Sequence, residues 1–454
     1  GGFMKYVIDS RKVKEGQIFV AIKGHTVDGH DYIEDAIKNG AKEIVAEKEI
    51  KASVPVLVVP STDEYLKNHL KDEYSDILNE MKFIGVTGTN GKTTTCFLTY
   101  QLLKAFNVKV AYMGTIGFYY DDLITGIENT TPDILTIYSL LLDARNKGCT
   151  TVVMEVSSHS LSYERIFGLH LDIAGFTNLT EDHLDYHKTM DAYLNEKLKI
   201  INYLTNDGTL IVNSDDDASN KFTEKFSNHL SVGLNGDYKI IDFKITPAKT
   251  NINFSFKNKT YSVTTNLTSK FNVYNYLTSL ALVNTLGYEI RDIIEKTSDV
   301  KAPKGRCETY PVNNGFAVVD FAHTPDAVEK VIDAYNELKE NRVITIIGCG
   351  GDRDPIKRPI MGRIAAEKSD YVIFSSDNPR TEDPKVIMED ILKGVKTNNY
   401  EVELDRTTAI KKGIDMMEEN DILLILGKGH ENYQIIGRTK IHLDDAEQVL
   451  NWKK

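Results

Sequence analysis

The segment Gly85-Val-Thr-Gly-Thr-Asn-Gly-Lys-Thr-Thr-Thr95 has the residue types that hold a nucleotide's phosphates. Its glycines let backbone N–H groups turn inward around phosphate oxygens, and the N-terminus of a following helix adds a favourable dipole. Lys92 would neutralise charge on the β and γ phosphates, and Thr93 would hold Mg2+ through its hydroxyl. The usual first glycine of G-x-x-x-x-G-K-[ST] falls on Val86, so the loop is a variant. The competing reading is a glycine-rich turn with an exposed lysine. The apolar run Phe83-Ile84-Gly85-Val86 ahead of the loop and the amphipathic helix predicted over Cys96–Phe106 behind it disfavour that reading.

Two further segments could bring charge to the same place. Thr151-Val-Val-Met-Glu-Val-Ser-Ser-His159 ends an apolar strand on Glu155. In a parallel sheet that carboxylate shares an edge with the phosphate loop and could hold a metal, although a strand-end glutamate alone is more often a solvated boundary residue. Thr177-Asn-Leu-Thr-Glu-Asp-His-Leu-Asp-Tyr-His-Lys188, with Lys197 further on, puts two histidines and three acids in one loop. That composition reads equally as a metal site or as a polar helix entrance, because Thr180-Glu-Asp resembles a helix cap.

In the last third, Gly348-Cys-Gly-Gly-Asp-Arg353, Asp377-Asn-Pro-Arg380 and Gly427-Lys-Gly-His-Glu431 each follow a predicted apolar strand. In a parallel sheet all three gather at one edge, where ligands bind in open α/β folds. Arg353 and Arg380 would face one crevice, and two guanidinium forks suit carboxylate recognition. Glu431 could accept from an ammonium. A ligand with two carboxylates and two amines fits that inventory. Either arginine taken alone is as well explained by a surface salt bridge.

The elements that must position these loops fall into three blocks, as a chain of 454 residues suggests. The first, residues 1–80, has β-like runs at Ile18–Ile22, Glu43–Glu47 and Val54–Val59 and a helix over His30–Asn39. The second, 81–302, adds strands at Val108–Tyr112, Thr151–Glu155, Ile173–Phe176 and Thr209–Val212, and an antiparallel hairpin over Asp242–Thr265. Lys301-Ala-Pro-Lys-Gly-Arg306 reads as a hinge. The third block, 303–454, alternates helices with strands near Phe316–Asp320, Val343–Ile347, Tyr371–Phe374 and Ile422–Leu426, a doubly wound α/β pattern.

Composition narrows the class. Apolar residues make up 41% and charged residues 26%, as in folded soluble chains. A net charge of −12 argues against general nucleic-acid or anionic-membrane binding, so local donors must recognise any anionic ligand. No run of about 18 apolar residues predicts a membrane span. Cys96, Cys149, Cys307 and Cys349 are far apart and form no Cys-x-x-Cys, which fits a reducing cytosol.

Five motifs in order resemble the Mur ligase family of ATP-dependent amino-acid ligases: Thr87-Gly-Thr-Asn-Gly-Lys-Thr-Thr94, Met154-Glu-Val-Ser-Ser-His159, Asn178-Leu-Thr-Glu-Asp-His183, Phe271-Asn-Val-Tyr-Asn275 and Phe321-Ala-His-Thr-Pro325. Asp9-Ser-Arg11, Gly24-His-Thr-Val-Asp-Gly29, Asn129-Thr-Thr-Pro132 and Asp377-Asn-Pro-Arg380 resemble the branch that adds the third peptide residue in peptidoglycan precursor synthesis. The resemblance implies a small α/β uridine-nucleotide-binding domain, a central P-loop ATPase domain with a parallel sheet and a mobile C-terminal Rossmann-like domain. It implies ATP and Mg2+ as cofactors, and a monomer acting in the cytoplasm. Its substrates would be UDP-N-acetylmuramoyl-L-alanyl-D-glutamate and meso-diaminopimelate.

The resemblance also implies roles for residues. Ile8, Ser10, His25, Thr26 and Val27 would hold the uridine end, and Asn129, Thr130, Thr131, Ser157 and Arg165 the muramoyl dipeptide. Gly88, Thr89, Asn90, Gly91, Lys92, Thr93 and Thr94 would cradle the ATP phosphates, with Asn272, Asn275, Arg306 and Asp320 reaching adenosine or phosphate. Thr93, Glu155, His183 and a carbamylated Lys197 would serve Mg2+; a carbamate offers oxygen ligands where an ammonium would repel the ion. Arg353, Asp377, Asn378, Pro379, Arg380, Gly427 and Glu431 would bind diaminopimelate. Tyr163 replaces a polar substrate-contacting residue of some relatives, and Ser269 replaces a common glycine, which predicts an altered turn. The family pattern also predicts a leading segment ahead of residue 1.

The reaction class follows from the parts. Oxide is a poor leaving group, so ATP must first convert a carboxylate to an acyl phosphate that an amine can attack. Competing readings are a ligase for L-lysine or meso-lanthionine, a folylpolyglutamate-type ligase, and a P-loop NTPase switch or kinase.

Overall fold

The computed structural model describes residues 3–24, 26–127, 132–180 and 189–453. Near the N-terminus, Tyr6–Val7, Ile18–Val20, Glu43–Ala46 and Val56–Val58 pair in chain order as a parallel four-stranded sheet. The helix expected over His30–Asn39 is split into a 3-10 turn, Gly29–Tyr32, and an α-helix, Ile33–Lys38. The Asp28 side chain accepts from the His30 N–H and so starts the turn one residue early. A helix not expected from the sequence, Thr62–Leu78, is capped by Ser61, whose hydroxyl accepts from the Glu64 N–H at 3.2 Å. Its Leu66, Leu70, Tyr74 and Leu78 recur every fourth residue and pack into the core under the central sheet.

The central sheet has eleven strands. Its middle is parallel: Tyr238–Ile245, His229–Gly233, Leu204–Asn213, Leu171–Phe176, Lys82–Thr87, Thr151–Glu155 and Val110–Gly114 lie side by side in that order. Antiparallel strands close both ends, Gly117–Tyr119 and Leu123–Thr125 on one side, Thr250–Phe256 and Lys259–Thr265 on the other. The expected hairpin over Asp242–Thr265 is thus part of a three-stranded meander. Its second turn is made by Lys257 and Asn258, both at positive φ, without the Asn-Gly pair that would announce it. Strand residues alternate between two cores. Ile84 and Val86 meet helices Lys92–Ala105 and Lys270–Thr285, while Phe83 meets Ile134–Asn146.

The C-terminal sheet runs Glu308–Val312, Gly315–Asp320, Ile422–Leu426, Val343–Ile347, Tyr371–Phe374, Tyr400–Val402. Only its first pair is antiparallel. The loops after Asp320, Leu426, Ile347 and Phe374 therefore emerge at one edge, and a hairpin, Tyr433–Ile436 with Thr439–His442, lies beside them. In the central sheet, the loops after Thr87, Glu155 and Phe176 share an edge for the same reason. Among the described residues no helix is long and apolar enough to cross a membrane.

Candidate active site

The phosphate loop turns at Gly88 and Gly91, whose φ angles are 144° and 87°. A Cβ on Gly88 would stand 1.8 Å from Thr177 Oγ1, so only glycine lets the loop lie against the neighbouring strand's exit. Asn90 is held by three bonds from that exit: its N–H donates to Asn178 Oδ1, and its carbonyl accepts from Thr177 Oγ1 and Asn178 Nδ2. Lys92 Nζ donates to the carbonyls of Gly88 at 2.7 Å and Thr89 at 3.2 Å. Lys197, 1% exposed, donates to the same Gly88 carbonyl at 2.9 Å and lies 4.4 Å over the Tyr193 ring. Burial, and then the neighbouring Lys92 charge, push the Lys197 amine well below the usual lysine range.

Glu155 is the buried acid of the site, 1% exposed. Its Oε1 accepts from Thr93 Oγ1 at 2.8 Å and Thr115 Oγ1 at 3.2 Å, and its Oε2 from the Thr115 N–H at 2.7 Å and from the Tyr112 hydroxyl. Burial, then the Glu155 charge, hold the Tyr112 phenol well above its usual range, so it remains a donor. A carboxylate oxygen and a threonine hydroxyl side by side at the start of the loop helix are the hard oxygen donors Mg2+ prefers, so Thr93 and Glu155 fit that ion. The expectation for His183 lies outside the described residues.

The loop opens into a cleft of about 670 Å³ between the central and C-terminal sheets. Thr89, Asn90, Gly91, Lys92, Thr93, Thr94, Glu155, Asn272, Asn275, Arg306 and Asp320, all expected from the sequence, line it together. Arg306 lies 4.5 Å over the Phe321 ring, and its Nη1 is buried with no hydrogen-bond partner among the described residues. Asn90 Nδ2 is buried in the same state. Both residues line the cleft, and an unpartnered donor on each suits phosphate oxygens. Asp320 is more occupied than its expected role suggests: it accepts from the N–H groups of Cys307 and Ala322, both at 2.8 Å, and so shapes the wall. His430, unforeseen in the sequence, also lines the cleft. Burial and then Arg306 push its pKa down to about 3, so it is neutral there.

Ser269, just ahead of the helix that carries Asn272 and Asn275, has φ 80° and ψ 150°. That region is open almost only to glycine, and the Ser269 hydroxyl is buried without a partner among the described residues. The turn has a glycine-type conformation, and the serine is strained in it. Ser269→Gly is expected to raise unfolding free energy by about 1 kcal/mol, measured by urea unfolding.

The expected uridine residues lie apart from this cleft. Ile8 and Ser10 follow strand Tyr6–Val7, and Thr26 and Val27 sit in a turn after Ile18–Val20, its parallel neighbour, so both groups emerge at one edge. The Gly24 N–H closes that turn on the Val27 carbonyl at 2.8 Å. His25, Asn129, Thr130 and Thr131 fall outside the described residues. The Ser157 hydroxyl caps helix Ser158–Ser162, and Arg165 lies 5.6 Å from the ring of the exposed Tyr163.

At the C-terminal edge the three loops do converge. The Gly351 N–H donates to the Asn378 carbonyl at 2.8 Å, and a Cβ on Gly351 would stand 1.7 Å from the Pro379 carbonyl oxygen, so a side chain there would force the loops apart. A Cβ placed on Gly350 would lie 2.9 Å from Arg380 Nη1 and 3.6 Å from Arg353 Cγ, so both arginines flank one glycine. Arg380 Nη1 donates to the Gly351 carbonyl at 3.0 Å, and Arg353 Nη1 to the Asp352 carbonyl at 3.2 Å. Among the described residues neither makes a direct ion pair with a carboxylate, although both lie near enough to Asp352 to help hold its pKa down. Asp377 packs on Gly427, where a Cβ would lie 2.5 Å from Asp377 Oδ2. Asn378 Nδ2 donates to Glu431 Oε1 at 3.2 Å, and Glu431 also reaches the phosphate cleft.

A brace that the sequence does not reveal holds this edge. Arg406 and Asp445 form a fully buried two-bond ion pair at 2.9 and 2.7 Å. Arg406 also donates to the carbonyls of Ser376 and Leu426, the residues just before two of the loops. Nothing in the spacing of an arginine and an aspartate 39 positions apart marks this pair. Arg406→Ala strands the Asp445 carboxylate in the core and is expected to cost about 3–5 kcal/mol, read as a fall in melting temperature.

A variant phosphate loop, a buried carboxylate beside it and a third α/β unit that gathers two arginines at its own sheet edge are the parts of a nucleotide-dependent ligase built of three α/β units. The chain belongs to the Mur ligase family. Family models match in order: the Mur ligase family catalytic domain over residues 5–74, the Mur ligase middle domain over 86–283, and the Mur ligase glutamate ligase domain over 305–429. Two similar relatives are both UDP-N-acetylmuramoyl-L-alanyl-D-glutamate--2,6-diaminopimelate ligases. The one from Clostridium botulinum is 39% identical, covering 98% of this chain and 94% of its own. The one from Fusobacterium nucleatum is 41% identical, covering 97% and 91%. A solved structure of a ligase with the same name aligns at TM-score 0.68 and 32% identity, covering 99% of this chain and 94% of that one. The MurF ligase from Thermotoga maritima, solved with ADP, aligns at TM-score 0.71 but 21% identity, covering 99% and 96%, and shares the fold.

Proposed function

We propose that the chain joins meso-diaminopimelate to the D-glutamate end of UDP-N-acetylmuramoyl-L-alanyl-D-glutamate, with ATP converted to ADP and phosphate. Residues 1–80 would hold the uridine end, 81–302 the ATP and 303–454 the amino acid. The observation that carries the choice of amine is the pair Arg353 and Arg380, which flank Gly350 and make no direct ion pair among the described residues, with Asn378 next to Arg380 and bonded to Glu431. A distal carboxylate suits the arginines and a distal ammonium suits Glu431. The names of the relatives agree.

In this reading the D-glutamate carboxylate attacks the γ-phosphorus and ADP leaves. The diaminopimelate amine then attacks the acyl carbon, and the tetrahedral intermediate expels phosphate as the amine loses its proton. Lys92, the loop N–H groups and Arg306 offset the charge that develops on the transferred phosphoryl oxygens. Thr93, Glu155 and His183 would hold Mg2+, which when bound neutralises phosphate charge. Burial and then the Lys92 charge lower the Lys197 pKa and so favour the uncharged amine, the form that reacts with carbon dioxide to give the expected carbamate. The free thiols, three of them buried, suit a reducing cytoplasm, and the chain would act there as a monomer.

The test is an amine screen with the UDP-muramoyl dipeptide and ATP, following phosphate release and product mass. Release that depends on meso-diaminopimelate supports the reading. Release with L-lysine or meso-lanthionine in its place, or release independent of any amine, would overturn it.

A further inference from the structure

We propose that Lys428 is a specificity-determining positioning residue, which makes the amine site reject a side chain that ends in an ammonium alone. This rests on the reading above. The Lys428 side chain is 0% exposed, and its Nζ donates to Asn378 Oδ1 at 2.9 Å and Glu431 Oε1 at 3.1 Å. A lysine only donates, so it obliges the Asn378 oxygen to face inward, where the Ile435 N–H also donates to it at 3.0 Å. The Asn378 amide nitrogen is thereby turned to Glu431 Oε1. Among the described residues Glu431 Oε1 is thus taken by two protein donors, while Oε2 has a single long bond, 3.4 Å from the Tyr433 hydroxyl, and is the oxygen left for a ligand.

The second consequence is electrostatic. Glu431 carries its counter-ion inside the fold, so an arriving ammonium finds a carboxylate whose charge is already balanced. L-lysine brings only such an ammonium at its distal end and gains little. Diaminopimelate brings an ammonium and a carboxylate, and its carboxylate finds Arg380 and Arg353. A buried, charged donor at this position therefore favours the zwitterionic end over the cationic one.

The experiment compares kcat/KM for meso-diaminopimelate and L-lysine in wild type and Lys428→Met, with melting temperature and ADP binding as checks on the fold. The expected result is a KM for diaminopimelate at least tenfold higher, an L-lysine reaction unchanged or improved, and unaltered KM values for ATP and the UDP-dipeptide. Lys428→Arg, which keeps the charge, should retain most of the preference. Equal losses for both amines in Lys428→Met would reduce Lys428 to a structural part and overturn the proposal. Glu431→Gln gives an independent measure should Lys428→Met not fold. It leaves the Lys428 charge unbalanced, so the L-lysine reaction should fall at least tenfold more than the diaminopimelate reaction; an equal fall would overturn the proposal. Wild type that ignores diaminopimelate would sink the functional reading itself, whatever the variants do.

Discussion

Arg380→Ala is expected to lower kcat/KM for meso-diaminopimelate by about a hundred- to a thousandfold while lowering the weak L-lysine reaction less than about tenfold. The guanidinium is half-buried, and among the described residues its one bond goes to the Gly351 carbonyl, which leaves most of its donors without a protein acceptor there. A charge-assisted pair with a distal carboxylate is made only by diaminopimelate. Partial exposure keeps the loss below what a sealed site would show, because water replaces part of the missing bond. Binding of the UDP-dipeptide should be unchanged, since the residues assigned to it lie on the other two sheets. The backbone cost is small: Arg380 has φ 54°, and alanine is strained there about as much as arginine. Equal losses for both amines, or a wild type that prefers L-lysine, would make Asp377-Asn-Pro-Arg380 a structural turn.

Lys197→Ala should lose activity by about a thousandfold or more, with partial rescue by short carboxylic acids such as acetate. An ammonium on a side chain 1% exposed, beside Lys92 and with one carbonyl and one aromatic ring as its partners among the described residues, gives the fold little in charged form. Its pKa is lowered on folding, so the lysine lowers stability at pH values below the unfolded lysine pKa, the neutral range included. Removing it should therefore leave the melting temperature within a few degrees of wild type. A residue that costs stability and yet is required for turnover is kept for chemistry. The carbamate supplies carboxylate-like oxygens, and an added carboxylic acid can occupy the space the side chain leaves. Wild-type turnover in Lys197→Ala, or inactivity accompanied by a large loss of melting temperature, would count against this role.

The phosphate loop and the three C-terminal loops were legible because each chemical motif directly follows an apolar strand. Thr151–Glu155, Val343–Ile347, Tyr371–Phe374 and Ile422–Leu426 begin and end where the sequence predicts, since strands buried on both faces read as unbroken apolar runs. The short strands at one end of the sheet were not: Gly117–Tyr119 and Leu123–Thr125 have three residues each, too few for alternation to show, and His229–Gly233, inside the sheet, is partly exposed and has no unbroken apolar run. Helix Thr62–Leu78 did leave a signal, the Ser61 to Glu64 cap and a hydrophobic residue every fourth position, but polar residues dilute it.

By itself the sequence determined the class of chemistry, because a phosphate loop, a strand-end acid and paired arginines are local patterns. Their requirements are met by a few consecutive residues and need no knowledge of what packs where. The tertiary structure alone decided which of these groups share a cleft and which side chains hold them. Lys428 lies unremarked between two glycines, yet its burial ties Asn378 to Glu431 across about 50 residues of chain. Arg406 and Asp445 become a brace only when two separate elements close over them. A charge buried in low dielectric depends on every neighbour, and neighbours distant along the chain leave no mark on its local spacing.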